Sequence, residues 1–361
     1  MSILLSPYQK NGLSLSNRMV MAPMTRNRAI GSIPNALMAE YYGQRATAGL
    51  IVTEGTSPAP EGLGYQRIPG IFTKEQVEGW KLVTDKVHAN GGKIFVQLMH
   101  TGRVSHQDNL PAGAQVVGPS TIGMSGQIHT LNGAFNYSTP VALSAEAIKQ
   151  TIKQHAIAAE LAMEAGFDGV ELHGAHGYLI EQFLNPHVNN RTDVYGGNHI
   201  NRSRFAIETA IATIAAIGKE RTAIRISPFS TLNDMHAYEE AEVDATYQYL
   251  VRELSKLELT YLHISRNPMT TPERLKFFRE TFKGTIIVCN GFDAASAEQL
   301  LEEGTADLIG FGKPFLANAD LPQRFAHQAP LNPVDFKTMY GNSAVGYTDY
   351  PLMNEMPQPQ Q

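Results

Sequence analysis

The densest group of reactive side chains in the chain is His173-Gly-Ala-His176-Gly-Tyr178. Two imidazoles at this spacing can ligate zinc, but no third ligand stands on the neighbouring strand ends and no Asp or Glu lies beside them. Two neutral imidazoles can instead donate hydrogen bonds to a carbonyl or nitro oxygen that gains negative charge. Histidines satisfied inside loops are the plain structural alternative. Tyr178 carries a hydroxyl whose ordinary pKa is near 10, poor as a free acid but able to protonate a basic carbanion. A second group, Asn290-Gly291 and Gly310-Phe311-Gly312-Lys313, offers backbone N–H groups and a cation suited to a phosphate. Glycines that merely turn tight loops, or an aldolase Schiff-base lysine at Lys313, are the other readings. A lysine beside two glycines and before Pro314 fits phosphate better.

The elements that must position these groups alternate regularly. Strand candidates are Arg18–Thr25, Leu50–Thr56, Lys93–Met99, Gly169–His173, Thr222–Ser227, Tyr261–Ser265, Thr285–Asn290 and Ala306–Gly312. They are nearly continuous apolar runs, the pattern of parallel strands buried on both faces. Helices fit Asn35–Ala48, Lys74–Ala89, the stretch from Ser144 to Gly166, Asn201–Ile217, Ala241–Leu257, Thr271–Phe282, Ala294–Glu303 and Ala317–Phe325. In the third of these, Ser144 is the expected N-cap, Ile148, Ile152, Ala156, Ala159 and Met163 the buried stripe, and Gly166 the left-handed stop. Strict alternation points to an α/β fold, a (β/α)8 TIM barrel, with an open doubly wound sheet as competitor. The strand ends then read Pro23-Met24-Thr25, Gly55-Thr56, Gln97, His173 with His176, Arg225, Ser265-Arg266, Gly291 and Gly312-Lys313. No carboxylate pair occurs there, which argues against a glycosidase.

The 361 residues carry 29 basic and 34 acidic side chains, a formal charge of −5, so neither nucleic acid nor an anionic membrane surface is an expected partner. The single cysteine, Cys289, excludes an intramolecular disulfide framework, a Cys-rich zinc site and a four-cysteine iron–sulfur cluster. The start has no signal-peptide pattern and no run reaches the ~20 apolar residues of a membrane helix, so a cytoplasmic protein is expected. No linker divides the chain; one domain is expected over 1–361, with its barrel at about 18–325. The Gly/Pro/Ser-rich stretch 103–143 should form a hairpin excursion. Most of the segments outside the barrel, namely this stretch, 1–17, 179–200 and the C-terminal tail 326–361, should crowd the barrel ends, where access to the strand-end residues is decided. Residues 353–361 look disordered.

The run from Ala162 to Phe205 resembles the signature segment of the Old Yellow Enzyme family of FMN-dependent ene-reductases, and especially its bacterial branch acting on N-ethylmaleimide, nitroesters and enones. The likeness continues in APMTR (22–26), GYQRIPGIF (64–72), QLMHTGR (97–103), RISP (225–228), ADLIGFGKPFLANADL (306–321) and YGNSAVGYTDYP (340–351). It implies a non-covalently bound FMN, with Thr25 at flavin O4, backbone contacts from Pro23 and Met24, and Gly55 and Gln97 at the pyrimidine edge. It places Arg225 at N1/O2 and Gly291, Phe292, Gly312 and Lys313 around the phosphate. It gives His173 and His176 the substrate oxygen, Tyr178 the proton, and Tyr65, Met99 and Tyr340 the pocket wall. The implied reaction has two halves: NADPH, or NADH, reduces the flavin and leaves. Hydride then passes to the β-carbon of an activated alkene while Tyr178 protonates the α-carbon from the opposite face.

Two positions depart from the family pattern. Met99 stands where many members have tryptophan, which implies a differently shaped, roomier pocket. Lys313 stands where most have arginine, a point charge in place of a two-pronged donor, which implies weaker phosphate retention. Rival readings are an iron–sulfur multidomain reductase (excluded by the lone cysteine), a metal-dependent hydrolase or aldolase, and a flavin-binding protein without turnover. The physiological substrate, the nicotinamide preference and the choice between monomer and homodimer stay open.

Overall fold

The computed structural model describes residues 2–355. Eight parallel strands close a barrel: β3 (Met19–Met21), β4 (Leu50–Thr56), β5 (Ile94–Leu98), β10 (Gly169–Gly174), β11 (Thr222–Ile226), β12 (Tyr261–Ser265), β13 (Thr285–Cys289) and β14 (Leu308–Phe311). Every residue of these strands is buried, as their continuous apolar runs require. The open-sheet competitor is thereby excluded. The first strand is shorter than its apolar run. Pro23 has no N–H for the ladder, so Pro23, Met24 and Thr25 leave the sheet and lie over its carboxyl end. In β4 the pairing with β5 shifts between Val52 and Gly55, a bulge that re-aims Gly55 beside Gln97.

The helices α1 (Ala36–Gln44), α2 (Lys74–Ala89), α3 (Ala145–Glu164), α4 (Leu179–Leu184), α5 (His199–Ile217), α6 (Glu240–Lys256), α7 (Pro272–Thr281), α8 (Ala294–Glu302), α9 (Lys313–Ala317) and α10 (Leu321–Ala326) wrap the strands. Asn35, Thr73, Ser144, Asn198, Thr271 and Asp293 each accept a backbone N–H at a helix start. Gly166, at φ 86°, ends α3 as expected. The buried face of α3 is displaced from the expected stripe: Ile148, Thr151, His155, Ala158, Ala159 and Ala162 are buried, while Ile152, Ala156 and Met163 are half-buried. His155 tolerates burial because its Nδ1 meets the Thr151 carbonyl at 2.8 Å. The single helix expected over Ala317–Phe325 is two, α9 and α10. Pro322 cannot continue a helix from the preceding turn and instead begins a new one.

Segments outside the barrel close its two ends. The hairpin β1 (Tyr8–Lys10) and β2 (Leu13–Leu15) packs Tyr8, Leu13 and Leu15 on Phe95, Tyr261 and Ile287. The Tyr8 hydroxyl lies 2.8 Å from that of Thr285, the first residue of β13. Residues 1–17 were expected to crowd a barrel end; their described part plugs the amino-terminal end, opposite the strand ends that carry the candidate site residues. Between β5 and α3, β6 (Val117–Gly118) pairs in parallel with β9 (Val141–Ala142), and β7 (Gln127–Thr130) with β8 (Gly133–Asn136) forms a hairpin. The C-terminal segment is held by buried arginines. Arg28 donates to the carbonyls of Thr338, Met339 and Val345 at 3.0, 2.8 and 3.0 Å, and Tyr347 stacks on Tyr41 with ring centroids 4.0 Å apart. Met353–Glu355 form a short 3-10 turn, and the remainder of the stretch expected to be disordered lies outside the described residues. No described helix is long and apolar enough to cross a membrane.

Candidate active site

A cavity of about 400 Å³ opens at the carboxyl ends of the barrel strands. Pro23, Met24, Thr25, Gly55, Gln97 and Arg225, expected around a flavin ring, all line it. So do Tyr65, Met99, His173, His176, Tyr178 and Tyr340, expected around an acceptor. The β7–β8 hairpin contributes Gln127, Ile128 and His129 to the same wall.

At one side β10 ends in the histidine turn. The rings of His173 and His176 are 5.6 Å apart and nearly perpendicular, and His173 lies 4.8 Å from the Tyr178 ring. Burial, assisted by the Arg225 charge, holds both imidazoles well below their usual pKa, so both are neutral. Nε2 of His176 is engaged by the Ser265 hydroxyl at 2.7 Å, while Nδ1 of His173 is buried without a partner among the described residues. The Tyr178 hydroxyl lies 3.1 Å from that of Tyr65. Burial raises the Tyr178 phenol against the opposing hydrogen bonds of Tyr65 and Asn233, so it keeps its proton at neutral pH.

The other side rests on a buried polar layer inside the barrel. Gln97 Nε2 donates to Glu171 Oε1 at 2.7 Å, and His263 Nδ1 lies 2.8 Å from Glu171 Oε2. A carboxylate only accepts, so Glu171 turns the Gln97 amide and leaves its oxygen free for an N–H. Burial pushes the Glu171 carboxyl up, but His263, Arg225 and Gln97 outweigh it and hold the group below its ordinary value. Arg225 Nη2 donates to Cys289 Sγ at 3.1 Å, and its Nε has no partner among the described residues although Arg225 is only 4% exposed. Burial raises the Cys289 thiol, yet Arg225 and His263 bring it down to about 6.

The expected phosphate residues stand apart from the main cavity. Gly291 opens on a neighbouring groove with Arg266 and Asn290. Arg266 covers the Phe292 ring at 3.8 Å, and Lys313 leans over Phe336 at 5.1 Å. Gly312 lies beside Met24 of the main cavity, since a Cβ there would sit 3.6 Å from Met24 Sδ. At Gly55 a Cβ would come within 2.3 Å of Met99 Sδ, so no side chain fits between that strand and Met99.

These features fit a flat, polar-edged heterocycle with an anionic tail. Buried donors and acceptors without protein partners, at Arg225 and His173, call for a ligand. Among the described residues no group of His, Cys, Asp and Glu could hold a metal ion. Sequence reasoning missed Glu171, His263 and Cys289 as supports. The signal was available, for each lies two residues before a named strand-end position and so points to the same side of its strand. It named Arg266 at a strand end without giving it a role, and had no signal for Asn27 and Tyr137, which reach the cavity from loops.

Known proteins match across the chain. A family model described as NADH:flavin oxidoreductase / NADH oxidase matches residues 4–332. The chain is 42% identical over 363 residues to 12-oxophytodienoate reductase 1 of Oryza sativa subsp. japonica, covering 98% of this chain and 94% of that protein. A solved structure of morphinone reductase in complex with tetrahydroNAD matches at 44% identity with a TM-score of 0.92, covering 97% of each chain. An old yellow enzyme homologue from Zymomonas mobilis matches at 38% identity and a TM-score of 0.92, covering 97% of this chain and 99% of the other.

Proposed function

This chain belongs to the NADH:flavin oxidoreductase / NADH oxidase family, the Old Yellow Enzyme family of FMN-dependent oxidoreductases, and from that membership we propose that it is an ene-reductase acting on activated alkenes. Enones and maleimides are the substrate class, with nitro compounds as a second group of acceptors. NADPH, or NADH, is the reductant. When bound, FMN would supply the redox chemistry, the relay of hydride between nicotinamide and acceptor.

The protein's own part follows from its side chains. Thr25, Gly55 and the Glu171-oriented Gln97 would hold the ring edge, and Arg225 would set a fixed positive charge against it. Gly291, Phe292, Gly312 and Lys313 would hold the phosphate, with Arg266 beside them. His173 and His176, both neutral, donate to the acceptor's oxygen, and these bonds strengthen as charge gathers there. Tyr178 gives its proton to the α-carbon, and Tyr65 donates to the phenolate left behind. Met99, Tyr65 and Tyr340 bound the acceptor's space.

The observation that carries this reading is one cavity shared by two neutral histidines, a protonated tyrosine and a partner-free arginine donor. Tyr178→Phe tests it. Stopped-flow reoxidation by 2-cyclohexenone should slow by about 100-fold or more, the usual weight of a general acid, while reduction by NADPH persists. Equal losses in both half-reactions would overturn the assignment.

A further inference from the structure

Behind the histidine turn lies a second cavity of about 360 Å³, and Glu181 forms part of its wall with Asn185, Tyr238 and Tyr247. Glu181 is 2% exposed, and both carboxyl oxygens are occupied. Oε2 accepts the Gly177 N–H at 2.6 Å; Oε1 accepts the Ser227 hydroxyl and the Tyr247 hydroxyl, each at 2.7 Å. Ser227 Oγ in turn accepts the backbone N–H of His176 at 2.8 Å. One side chain therefore grips two consecutive peptide groups of the turn, one directly and one through a hydroxyl.

That turn needs a grip. His176 and Gly177 are both left-handed, at φ 57° and 76°, a conformation that a histidine adopts only against steric resistance. Tyr178 follows at once and starts α4, the helix that carries Glu181 itself. The position of the His176 ring and of the Tyr178 hydroxyl thus depends on the same carboxyl group.

We propose that Glu181 is a positioning residue for acceptor reduction, holding the His176–Gly177–Tyr178 turn in its working geometry as a carboxylate and releasing it as the neutral acid. The proposal rests on the roles given above to His176 and Tyr178. The chemistry is one of donor count. Glu181 faces three donors, which a carboxylate satisfies; the neutral acid brings a fourth donor, and a proton on Oε2 replaces the charge-assisted bond to the Gly177 N–H by a weaker neutral one. Burial raises the carboxyl to about 7 against the pull of Ser227, Gly177 and Tyr247, which puts the change within the working range. The titratable groups facing it are Tyr247 and Glu240 from α6, Tyr238 and His236 from the preceding loop, and His176 from the turn. Both tyrosines are raised by burial and His176 is lowered by it, so these three stay neutral there. None of the Glu181 hydrogen-bond donors is a lysine or arginine.

The test compares the FMN-loaded wild type with Glu181→Gln, whose amide keeps one acceptor but adds donors. In the wild type the KM for 2-cyclohexenone should rise about tenfold between about pH 8 and about pH 6, the scale of one lost hydrogen bond to a charged group. Glu181→Gln should show the acidic value throughout, without a midpoint. A variant that keeps the wild-type pH profile overturns the proposal. Independently of turnover, the Gly177 amide resonance in the wild type should titrate with a midpoint near 7, the value to which burial raises Glu181; a Gly177 resonance that does not move also overturns it. Should Glu181→Gln fail to fold, Ser227→Ala cuts the His176 link alone, and should raise KM while the Gly177 titration persists; unchanged KM counts against the proposal. A wild type inert towards every enone would sink the ene-reductase reading, while the Gly177 titration would still decide the role of Glu181.

Discussion

The hydroxyls of Tyr65 and Tyr178 lie 3.1 Å apart, with their rings perpendicular at 6.3 Å. Tyr65 comes from the loop after β4 and Tyr178 from the turn after β10, so two distant segments meet at the one proton the reaction needs. Burial raises both phenols. Once Tyr178 has lost its proton, Tyr65 is the donor at hand. Tyr65→Phe should therefore slow enone-driven flavin reoxidation by about tenfold, the weight of one hydrogen bond to a developing charge, and less than Tyr178→Phe does. Stopped-flow absorbance measures both. A Tyr65→Phe rate equal to wild type would show that Tyr178 is reprotonated without Tyr65.

Glu171 controls which end of the Gln97 amide meets the ring. Its replacement by Gln lets the two amides meet in more than one orientation, and also removes the counter-charge to Arg225 and His263. Glu171→Gln should weaken FMN binding about tenfold or more, as expected when a buried network loses a charged acceptor. Fluorescence titration of the apoprotein with FMN reads this. Unchanged affinity would mean that Gln97 is oriented by something else.

At the phosphate corner, Lys313 is an exposed point charge leaning on Phe336, and Arg266 is already committed to the carbonyls of Asn290 and Gly291 at 2.8 and 3.1 Å. An arginine at 313 adds a two-pronged donor where the present lysine has none. Lys313→Arg should tighten FMN binding by about 1 kcal/mol. The same titration tests it; equal or weaker binding by the variant would contradict the account.

His155 gives a pH dependence that can be isolated. Burial lowers its pKa to about 4 in the folded protein, against an ordinary value near 6.5. A group depressed in this way contributes stability above pH 6.5, and that contribution is lost as the pH falls towards 4, because only the unfolded chain takes up the proton. Between these limits the unfolding free energy of His155→Gln should fall less steeply than that of wild type, by about 1.4 kcal/mol per pH unit, one proton's worth. Urea unfolding at saturating FMN, repeated across that range, measures the difference. Parallel slopes would mean that His155 is protonated in the folded state.

What the sequence made legible and what it hid have the same physical origin. Strands such as Leu50–Thr56 and Tyr261–Ser265 are buried on both faces, so their apolar runs announce parallel strands, their strict alternation with helices favours a barrel, and a barrel puts its chemistry at the strand ends. Gln97, His173 and Arg225 could be found in that way, whereas Met99 was named only through the family resemblance. Polar residues that earn burial through a distant partner leave no such trace. Arg28 is buried because carbonyls some 310 residues away receive it, and His155 because a carbonyl one turn back does. Glu181 reads as an ordinary surface carboxylate on a short helix, although three donors enclose it. The plug formed by Tyr8, Leu13 and Leu15 is likewise a matter of which barrel end a hairpin meets, which local pattern does not encode.

The central claim is that one flavin site alternates between a nicotinamide and an activated alkene. Its most direct test is the visible absorbance of the purified, FMN-loaded protein under anaerobic conditions, titrated first with NADPH and then with 2-cyclohexenone. The account predicts that the flavin band bleaches with one equivalent of NADPH and returns with one equivalent of enone, with cyclohexanone as product. Bleaching without recovery on addition of the enone, or with recovery only on admission of oxygen, would contradict it.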